Sequence, residues 1–259
     1  METYGLIGYP LGHSFSRKFF TEKFAREGRE AQYLNFEIPS IEGFPDVVKN
    51  NPELRGLNVT IPYKQQVMQY LDGISEEAKA IGAVNVVKVS EEGLMGYNSD
   101  VIGFVDSIRP LLKPHHRKAL ILGTGGASKA IHYGLTKKLG METAFVSRNK
   151  PDGSPHHGGD VRRAERVFTY NDITAETLKE YEVIVNCSPV GMFPHVDECP
   201  VLPYEAMSEA NLLYDLVYNP EETLFMKKGA EQGATVKNGL EMLHLQAIAS
   251  WEFWGNQSK

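Results

Sequence analysis

Two serines near the start of the chain could together bind a carboxylate. Ser14 and Ser16 stand two residues apart in GYPLGHSFSRK, and residues at that spacing in an extended segment point to the same side. Ser16 could instead cap a helix predicted over residues 17–28. The two interpretations are compatible, because each can apply to a different serine.

Lys64 occupies an unusual place in the stretch RGLNVTIPYKQQV. Leu57 to Ile61 is strand-like, Pro62 ends the strand, and the apolar spacing predicts a helix from about Tyr63. A cation in the first turn of a helix opposes the helix dipole. Lys64 is therefore either solvated at a small cost or kept for chemistry.

Polar residues also interrupt or follow the next strands. Asn85 lies within the apolar stretch GAVNVVKV, where a polar side chain must find a partner or a ligand. Asp100 precedes a helix predicted over 101–112, and either Asn98 or Asp100 could cap that helix. Gln246 stands beside the apolar stripe of a helical C-terminal segment, where it faces either solvent or a cleft.

A glycine-rich turn near the middle of the chain could bind a phosphate. Residues 118–131, KALILGTGGASKAI, read as strand, tight turn and helix. Such a turn lets the backbone approach a pyrophosphate, which the helix N-terminus then stabilises. Ser128 stands where the usual fingerprint has its third glycine. The stretch alone fits either a dinucleotide site or a structural turn.

The next strand of this unit, Thr143 to Ser147, ends in the basic turn Ser147, Arg148, Asn149 and Lys150. A carboxylate at this place would bind the 2′-hydroxyl of NAD, whereas an arginine suits a 2′-phosphate. The turn therefore favours NADP, unless it is simply a solvated basic turn. Residues 150–163 are rich in Gly, Pro and His and are interpreted as a mobile loop.

A further strand, Glu182 to Asn186, is followed by the irregular turn that contains Cys187 and Ser188. Open α/β sheets bind ligands at the carboxyl ends of such strands. Cys187 is interpreted as a packing residue, because no histidine partner is indicated.

The elements that must position these residues alternate between strand and helix, which predicts an α/β protein. We expect one domain over 1–100, a dinucleotide-binding domain over 101–237, and a helical segment over 238–259 that returns to the first domain.

The composition excludes several classes of protein. The chain has 259 residues and a net charge of −6, which argues against nucleic acid or an anionic membrane as a partner. Two cysteines exclude a disulfide framework or a four-thiolate metal site, and we expect no metal. Because no leader and no apolar run of membrane length stand out, we expect a cytoplasmic protein.

Motifs along nearly the whole chain resemble the shikimate dehydrogenases of aromatic amino-acid biosynthesis. The matching stretches are HSFS (13–16), NVTIPYK (58–64), GAVN (82–85), YNSD (97–100), GTGGAS (123–128), NCSPVGM (186–192), DLVYNP (215–220) and NGLEMLHLQA (238–247). The order and separation of these stretches make a chance match implausible.

The resemblance implies reversible, NADPH-dependent reduction of 3-dehydroshikimate to shikimate on the route to chorismate, without a metal. It implies an N-terminal substrate-binding domain and a C-terminal Rossmann-type NADP-binding domain with both ligands in the cleft between them. The last helix packs back on the first domain. The small-molecule substrate is the only expected partner class, and the chain is expected to be a monomer or homodimer.

The resemblance also assigns roles to residues. Lys64 and Asp100 match the catalytic pair. The residues that match substrate-binding positions are Ser14, Ser16, Thr60, Lys64, Asn85, Asp100, Tyr218 and Gln246. Those that match cofactor-binding positions are Gly123, Thr124, Gly125, Gly126, Ala127, Ser147, Arg148, Asn149, Lys150, Ser188, Leu216, Gly239 and Met242.

The chain departs from the family's usual residues at two places, and two alternative functions are considered. The family often has Asn-Arg-Thr where this chain has Ser147-Arg148-Asn149, and Ser99 replaces a common Thr. The nearest alternative is a quinate/shikimate dehydrogenase that uses NAD. A more distant one is a non-catalytic nucleotide or metabolite sensor, against which the presence of both Lys64 and Asp100 argues.

Overall fold

The computed structural model describes residues 1–12, 15–149 and 166–255. Of the predicted site residues, Ser14 and Lys150 lie outside these ranges, as does the loop predicted over 150–163. The described chain divides into two compact units. The first contains Met1–Ser99 and the residues from Gln246 on, and the second contains Asp100–Leu245.

The first unit alternates strands and helices. Its helices and strands in chain order are β1 (Glu2–Gly8), α1 (Phe15–Glu27), β2 (Ala31–Glu37), α2 (Phe44–Asn50), β3 (Leu54–Val59), β4 (Gly73–Ile74), α3 (Glu76–Ile81), β5 (Val86–Ser90) and β6 (Gly93–Tyr97). Short 3₁₀ helices cover Ile41–Gly43 and Gln66–Tyr70.

The described strands of this unit form one mixed sheet in the order β2-β1-β3-β5-β6-β4. Strands β1, β2 and β3 are parallel, and β5 runs antiparallel to both β3 and β6. The carboxyl ends of β1, β3 and β6 therefore meet the amino end of β5 along a single edge. We call it the polar edge, because it carries Thr60, Lys64 and Asn85.

The last helix, α8 (Leu240–Phe253), packs its second half on this sheet. Trp251 is fully buried in an aromatic cluster with Tyr4 and Phe20, and its ring centroid lies 5.3 Å from that of Tyr4. Trp254 donates from Nε1 to the Val87 carbonyl at 3.0 Å. The residues of α8 from Gln246 on therefore belong to the first unit.

The second unit is a series of strand–helix repeats. Its helices and strands in chain order are α4 (Asp100–Ile108), β7 (Lys118–Leu122), α5 (Gly126–Tyr133), β8 (Glu142–Ser147), β9 (Arg166–Thr169), α6 (Ala175–Glu180), β10 (Val183–Asn186), β11 (Leu212–Asp215), α7 (Leu224–Glu231) and β12 (Thr235–Lys237), followed by the first half of α8. Five residues of π-helix, Gly134–Lys138, continue α5.

Every described strand pair of this sheet is parallel, and the order is β12-β11-β10-β7-β8-β9. This is the doubly wound order that binds dinucleotides where the winding reverses. The reversal lies between β7 and β10. The prediction of a Rossmann-type domain is confirmed, and the continuous apolar strands follow from burial of the sheet on both faces.

Within the described ranges, no helix has both the length and the apolar character needed to cross a bilayer.

Candidate functional site

The polar edge of the first sheet brings Thr60, Lys64 and Asn85 together through the backbone. The N–H of Thr60 donates to the Ile7 carbonyl at 2.9 Å, which joins the ends of β3 and β1. The carbonyl of Asn85 accepts from the residue that ends β3 at 2.8 Å. The carbonyl of Lys64 accepts from the N–H of Val84 at 2.7 Å. The three residues are fixed relative to one another before any ligand binds.

The prediction of a helix that starts near Tyr63 is wrong. Turns cover residues 61–65, and the regular segment that follows is the 3₁₀ helix Gln66–Tyr70. The carbonyl of Lys64 bonds to Val84, so it does not extend a helical ladder. Lys64 therefore does not lie in the first turn of an α-helix and does not oppose a helix dipole. Its side chain is partly exposed.

Asn85 finds the partner that the sequence required. It is 5% exposed, its Oδ1 accepts from the N–H of Ser99 at 2.7 Å, and its Nδ2 donates to the Ser99 hydroxyl at 3.1 Å. Asn98 is also buried and donates to the Ala83 carbonyl at 2.9 Å. Asp100, 3% exposed, is the first residue of α4, where a carboxylate is favourable near the positive end of the helix dipole.

Ser16 lies within helix α1 and not in front of it. The helix begins at Phe15, so the prediction that Ser16 precedes and caps a helix over 17–28 is wrong. The Ser16 side chain hydrogen-bonds to the buried Tyr33. Burial raises the pKa of Tyr33 far above its ordinary value, and the bond with Ser16 only partly offsets the effect, so the phenol keeps its proton.

Sequence reasoning missed the residues that extend the Ser16–Tyr33 bond into a chain of hydrogen bonds across the first unit. The Tyr33 hydroxyl donates to Oδ1 of Asn58 at 2.8 Å, and Nδ2 of Asn58 donates to the Ser250 hydroxyl at 2.8 Å. Ser250 in turn donates to the Gln246 carbonyl at 2.8 Å and lies 3.3 Å from the Ser99 hydroxyl. The available signal was Asn58 itself, a polar residue inside the apolar strand β3.

The glycine turn of the second unit lines a pocket of about 520 Å³. The pocket opens where the parallel sheet reverses its winding, because Gly123 follows β7 and Cys187 follows β10. The N–H of Cys187 donates to the Leu122 carbonyl at 2.9 Å, which holds the loops after β7 and β10 next to each other. Predicted cofactor residues on its wall are Gly123, Thr124, Gly125, Ser147, Arg148, Asn149 and Ser188.

The glycines of this turn fit a bound pyrophosphate. Gly123 has a φ of +106°, a conformation that disfavours residues with a side chain. A Cβ built on Gly125 or Gly126 would meet no protein atom within 4 Å and would project into open space. Gly126 and Ala127 begin α5, whose backbone N–H groups and dipole favour an anion. The open space matches the close approach that a dinucleotide needs.

Further pocket residues were not predicted. They are Val146, Tyr170, Cys187, Pro189, Val190, Cys199, Pro200 and Val201. Burial, with a smaller contribution from the charge of Asp215, raises the pKa of the Cys187 thiol well above its ordinary value. This agrees with the interpretation of Cys187 as a packing residue, because its thiol stays protonated at neutral pH.

Two buried side chains join the loops that follow β10 and β11. Nδ2 of Asn186 donates to Asp215 at 3.0 Å, and Oδ1 of Asn186 accepts from the N–H and hydroxyl of Ser188 at 3.1 and 2.6 Å. Asp215 also accepts from the Val217 N–H at 3.0 Å and from the Thr223 hydroxyl at 2.6 Å. These bonds fix the backbone that carries Ser188 and the segment after Asp215.

Among the described residues, the predicted cofactor residues outside the lining of this pocket are Gly126, Ala127, Leu216, Gly239 and Met242. Gly239 donates from its N–H to the Val217 carbonyl at 3.2 Å, and a Cβ on Gly239 would overlap the Leu216 carbonyl oxygen. The close approach of these two backbone segments requires glycine. Met242 is buried in α8, and Tyr218 is 38% exposed after β11.

Metal ligands do not gather in the described residues: no group of three or more His, Cys, Asp and Glu side chains there could hold an ion.

Comparisons with known proteins agree with this arrangement. Residues 6–87 match the family described as the shikimate dehydrogenase substrate binding domain. The chain is 37% identical over 263 residues to a protein of Caldanaerobacter subterraneus subsp. tengcongensis named shikimate dehydrogenase (NADP(+)). That match covers 98% of this chain and 91% of the relative.

Solved structures match over the full length. The chorismate mutase/shikimate 5-dehydrogenase fusion protein of Clostridium acetobutylicum is 38% identical, with a TM-score of 0.85, and the match covers 100% of this chain and 92% of that chain. The Thermus thermophilus shikimate 5-dehydrogenase, solved with NADP(H) and shikimate, is 30% identical with a TM-score of 0.83 and coverages of 100% and 95%. Similarity of this extent in both sequence and structure shows that the chain belongs to the shikimate dehydrogenase family.

Proposed function

We propose that this chain catalyses the reversible, NADPH-dependent reduction of 3-dehydroshikimate to shikimate, a step toward chorismate and the aromatic amino acids. Family membership supports the reaction class. The structural observation that carries the proposal is the polar edge, where Thr60, Lys64 and Asn85 are held together by backbone bonds to neighbouring strands. The first unit then binds the substrate, and the second unit binds the cofactor.

The polar edge offers groups that suit a hydroxylated ring carboxylate. Thr60, Asn85 and Gln246 are assigned to the ring hydroxyls. Ser16 is assigned to the carboxylate, together with Tyr218 and with Ser14, which lies outside the described residues. The Asn85 bonds to Ser99 limit the rotamers of the Asn85 side chain. A prearranged set of donors and acceptors lowers the entropy cost of orienting the ring.

Reduction of a ketone creates negative charge on the carbonyl oxygen, which must gain a proton. The Lys64 ammonium is assigned to stabilise that charge and to donate the proton. Asp100 is assigned to orient the lysine. In the reverse direction the same lysine accepts the proton from the alcohol.

The second unit is assigned to hold NADP(H), which supplies or accepts the hydride when bound. Gly123 to Ala127 would hold the pyrophosphate, because the turn leaves room for it and α5 presents its N-terminus there. Arg148 and Asn149 are assigned to the 2′-phosphate, together with Ser147 and with Lys150, which lies outside the described residues. Ser188, Leu216, Gly239 and Met242 are assigned to the nicotinamide end.

A direct test is oxidation by the purified protein of shikimate and of quinate, each with NADP⁺ and with NAD⁺. We expect the highest kcat/KM for shikimate with NADP⁺. Faster turnover of quinate, or a strong preference for NAD⁺, would instead identify a quinate/shikimate dehydrogenase. Binding of shikimate and nucleotide without turnover in any combination would support a non-catalytic sensor.

The proposal extends to location and assembly. We propose a cytoplasmic enzyme that acts as a monomer or homodimer on its small-molecule substrate. Light scattering coupled to size-exclusion chromatography tests the assembly, and a larger oligomer would contradict it.

A further inference from the structure

Strand register places Tyr170 beside Arg148 on the pocket of the second unit. Strands β8 and β9 pair in parallel with Ser147 opposite Thr169. The residues that follow, Arg148 and Tyr170, therefore leave the same edge of the sheet on neighbouring strands. Both residues line the pocket that the glycine turn also lines.

The Tyr170 ring is held in place without a ligand. It is partly buried and packs against the hydrophobic core of the second unit. Asp172 accepts from the N–H and the hydroxyl of Thr169 at 2.8 and 2.7 Å, and the Tyr170 carbonyl accepts from the Ile173 N–H at 3.3 Å. These bonds fix the turn that carries the ring, so the phenol occupies a defined position.

The Tyr170 hydroxyl is available as a donor. Within the described ranges it makes no hydrogen bond to another protein group. Burial raises the pKa of the phenol, and the positive charge of Arg148 partly opposes the shift. The phenol is therefore protonated at neutral pH, and the charge of the Arg148 guanidinium acts on it.

We propose that Tyr170 is a specificity-determining residue, whose hydroxyl donates a hydrogen bond to the 2′-phosphate that Arg148 also binds. The inference rests on the proposed function, because it supposes NADP(H) in this pocket. A dianionic phosphate offers several strong acceptor oxygens, so it can bind both groups at once. The neutral 2′-hydroxyl of NAD(H) is a weaker acceptor, so Tyr170 favours the phosphorylated cofactor.

The test compares Tyr170→Phe with the unchanged full-length protein by calorimetric titration. The probes are 2′,5′-ADP, which carries the phosphate, and 5′-AMP, which lacks it. We expect Tyr170→Phe to weaken 2′,5′-ADP binding roughly tenfold, as loss of a hydrogen bond to a charged group would. Binding of 5′-AMP should change less than about twofold. Melting temperature should stay the same, because the hydroxyl has no partner within the described part of the protein.

A matched control is Tyr181→Phe. Tyr181 belongs to the same buried core but does not line the pocket, so its variant should bind both probes as the unchanged protein does. In turnover, Tyr170→Phe should raise KM for NADPH and leave kcat and the KM for NADH unchanged.

Failure of this inference and failure of the proposed function would give different results. Unchanged selectivity in Tyr170→Phe, or equal weakening of both probes, would overturn the inference and leave the proposed function intact. If the unchanged protein itself binds 5′-AMP as tightly as 2′,5′-ADP, then the NADP(H) assignment is wrong and the inference falls with it.

Discussion

The main-chain N–H of Val84 donates to the carbonyl oxygen of Lys64 at 2.7 Å. This bond ties the turn after β3 to the segment that enters β5, across a long intervening stretch of the chain. It fixes the backbone of Lys64 independently of its side chain. The side chain can therefore be replaced without loss of the turn, which makes Lys64 a clean target for mutagenesis.

Lys64→Ala should lower kcat by about 10²–10⁴-fold, the usual contribution of a positioned general acid. The affinity for shikimate should change little, because the other polar groups of the edge remain. Steady-state kinetics and a shikimate titration measure the two effects. Lys79→Ala, at an exposed lysine paired with Glu76 on α3, is the matched control and should leave kcat unchanged. Near-normal kcat in Lys64→Ala would refute the proposed role.

Arg148→Ala should raise the KM for NADPH by roughly tenfold to a hundredfold, because a charge-assisted bond to phosphate is worth about 1.5–3 kcal/mol. The KM for NADH should change little. Arg117→Ala is a suitable control, since Arg117 is exposed and precedes β7 at the opposite end of the strand. Comparing kcat/KM for both cofactors decides the matter: equal losses with NADPH and NADH would contradict the assignment.

Much of the fold could be predicted from the sequence, because central strands of the second sheet such as β7 and β10 are nearly continuous apolar runs. The predicted start of β7 and end of β10 match the structure within about one residue. The glycines also predicted the turn after β7, and Gly123 in that turn has the positive φ that favours glycine. These features depend on a few neighbouring residues, which a single sequence displays.

The features that sequence reasoning predicted wrongly or missed depend on contacts between residues far apart in the chain. In the segment predicted to be helical from Tyr63, the carbonyl of Lys64 bonds to the distant Val84 and not to a residue one turn further along. The position of Tyr170 next to Arg148 follows from the register of β8 and β9, which local spacing does not specify. The link from Tyr33 through Asn58 to Ser250 likewise joins residues from three parts of the chain.

Gly56→Ala should destabilise the first unit by about 1–3 kcal/mol, the usual cost of overpacking. A Cβ at position 56 would overlap Nε1 of Trp254, which must then leave its bond to the Val87 carbonyl. Trp254→Phe removes that bond and should cost about 1–3 kcal/mol. Denaturant unfolding measures both free energies.

The double variant tests whether the two residues act on each other. Since Trp254→Phe removes the indole atoms nearest to position 56, the double variant should lose less stability than the sum of the single variants. Strict additivity would show that the contact between Gly56 and Trp254 does not limit the packing of α8.

Asp215 should give the stability of the second unit a specific pH dependence. Burial raises its pKa from the ordinary 3.8 to about 6, despite hydrogen bonds from Thr223, Val217 and Asn186 that lower it. Between these values the folded protein holds a proton that the unfolded chain has released. The contribution of this group to the free energy of unfolding is therefore greatest below about pH 4, falls between pH 4 and 6, and is constant above. The total fall is about 3 kcal/mol.

Asp215→Asn removes this titration while it keeps an oxygen acceptor. The free energy of unfolding of the unchanged protein, minus that of the variant, should fall by about 3 kcal/mol as pH rises from about 4 to about 6. Asp106→Asn, at an exposed aspartate of α4, is the control for the loss of one carboxylate elsewhere in the same unit. Urea unfolding at half-unit pH intervals measures all three proteins. Parallel curves for the unchanged protein and Asp215→Asn would show that the Asp215 carboxyl titrates alike in the folded and unfolded states, which would contradict the raised pKa.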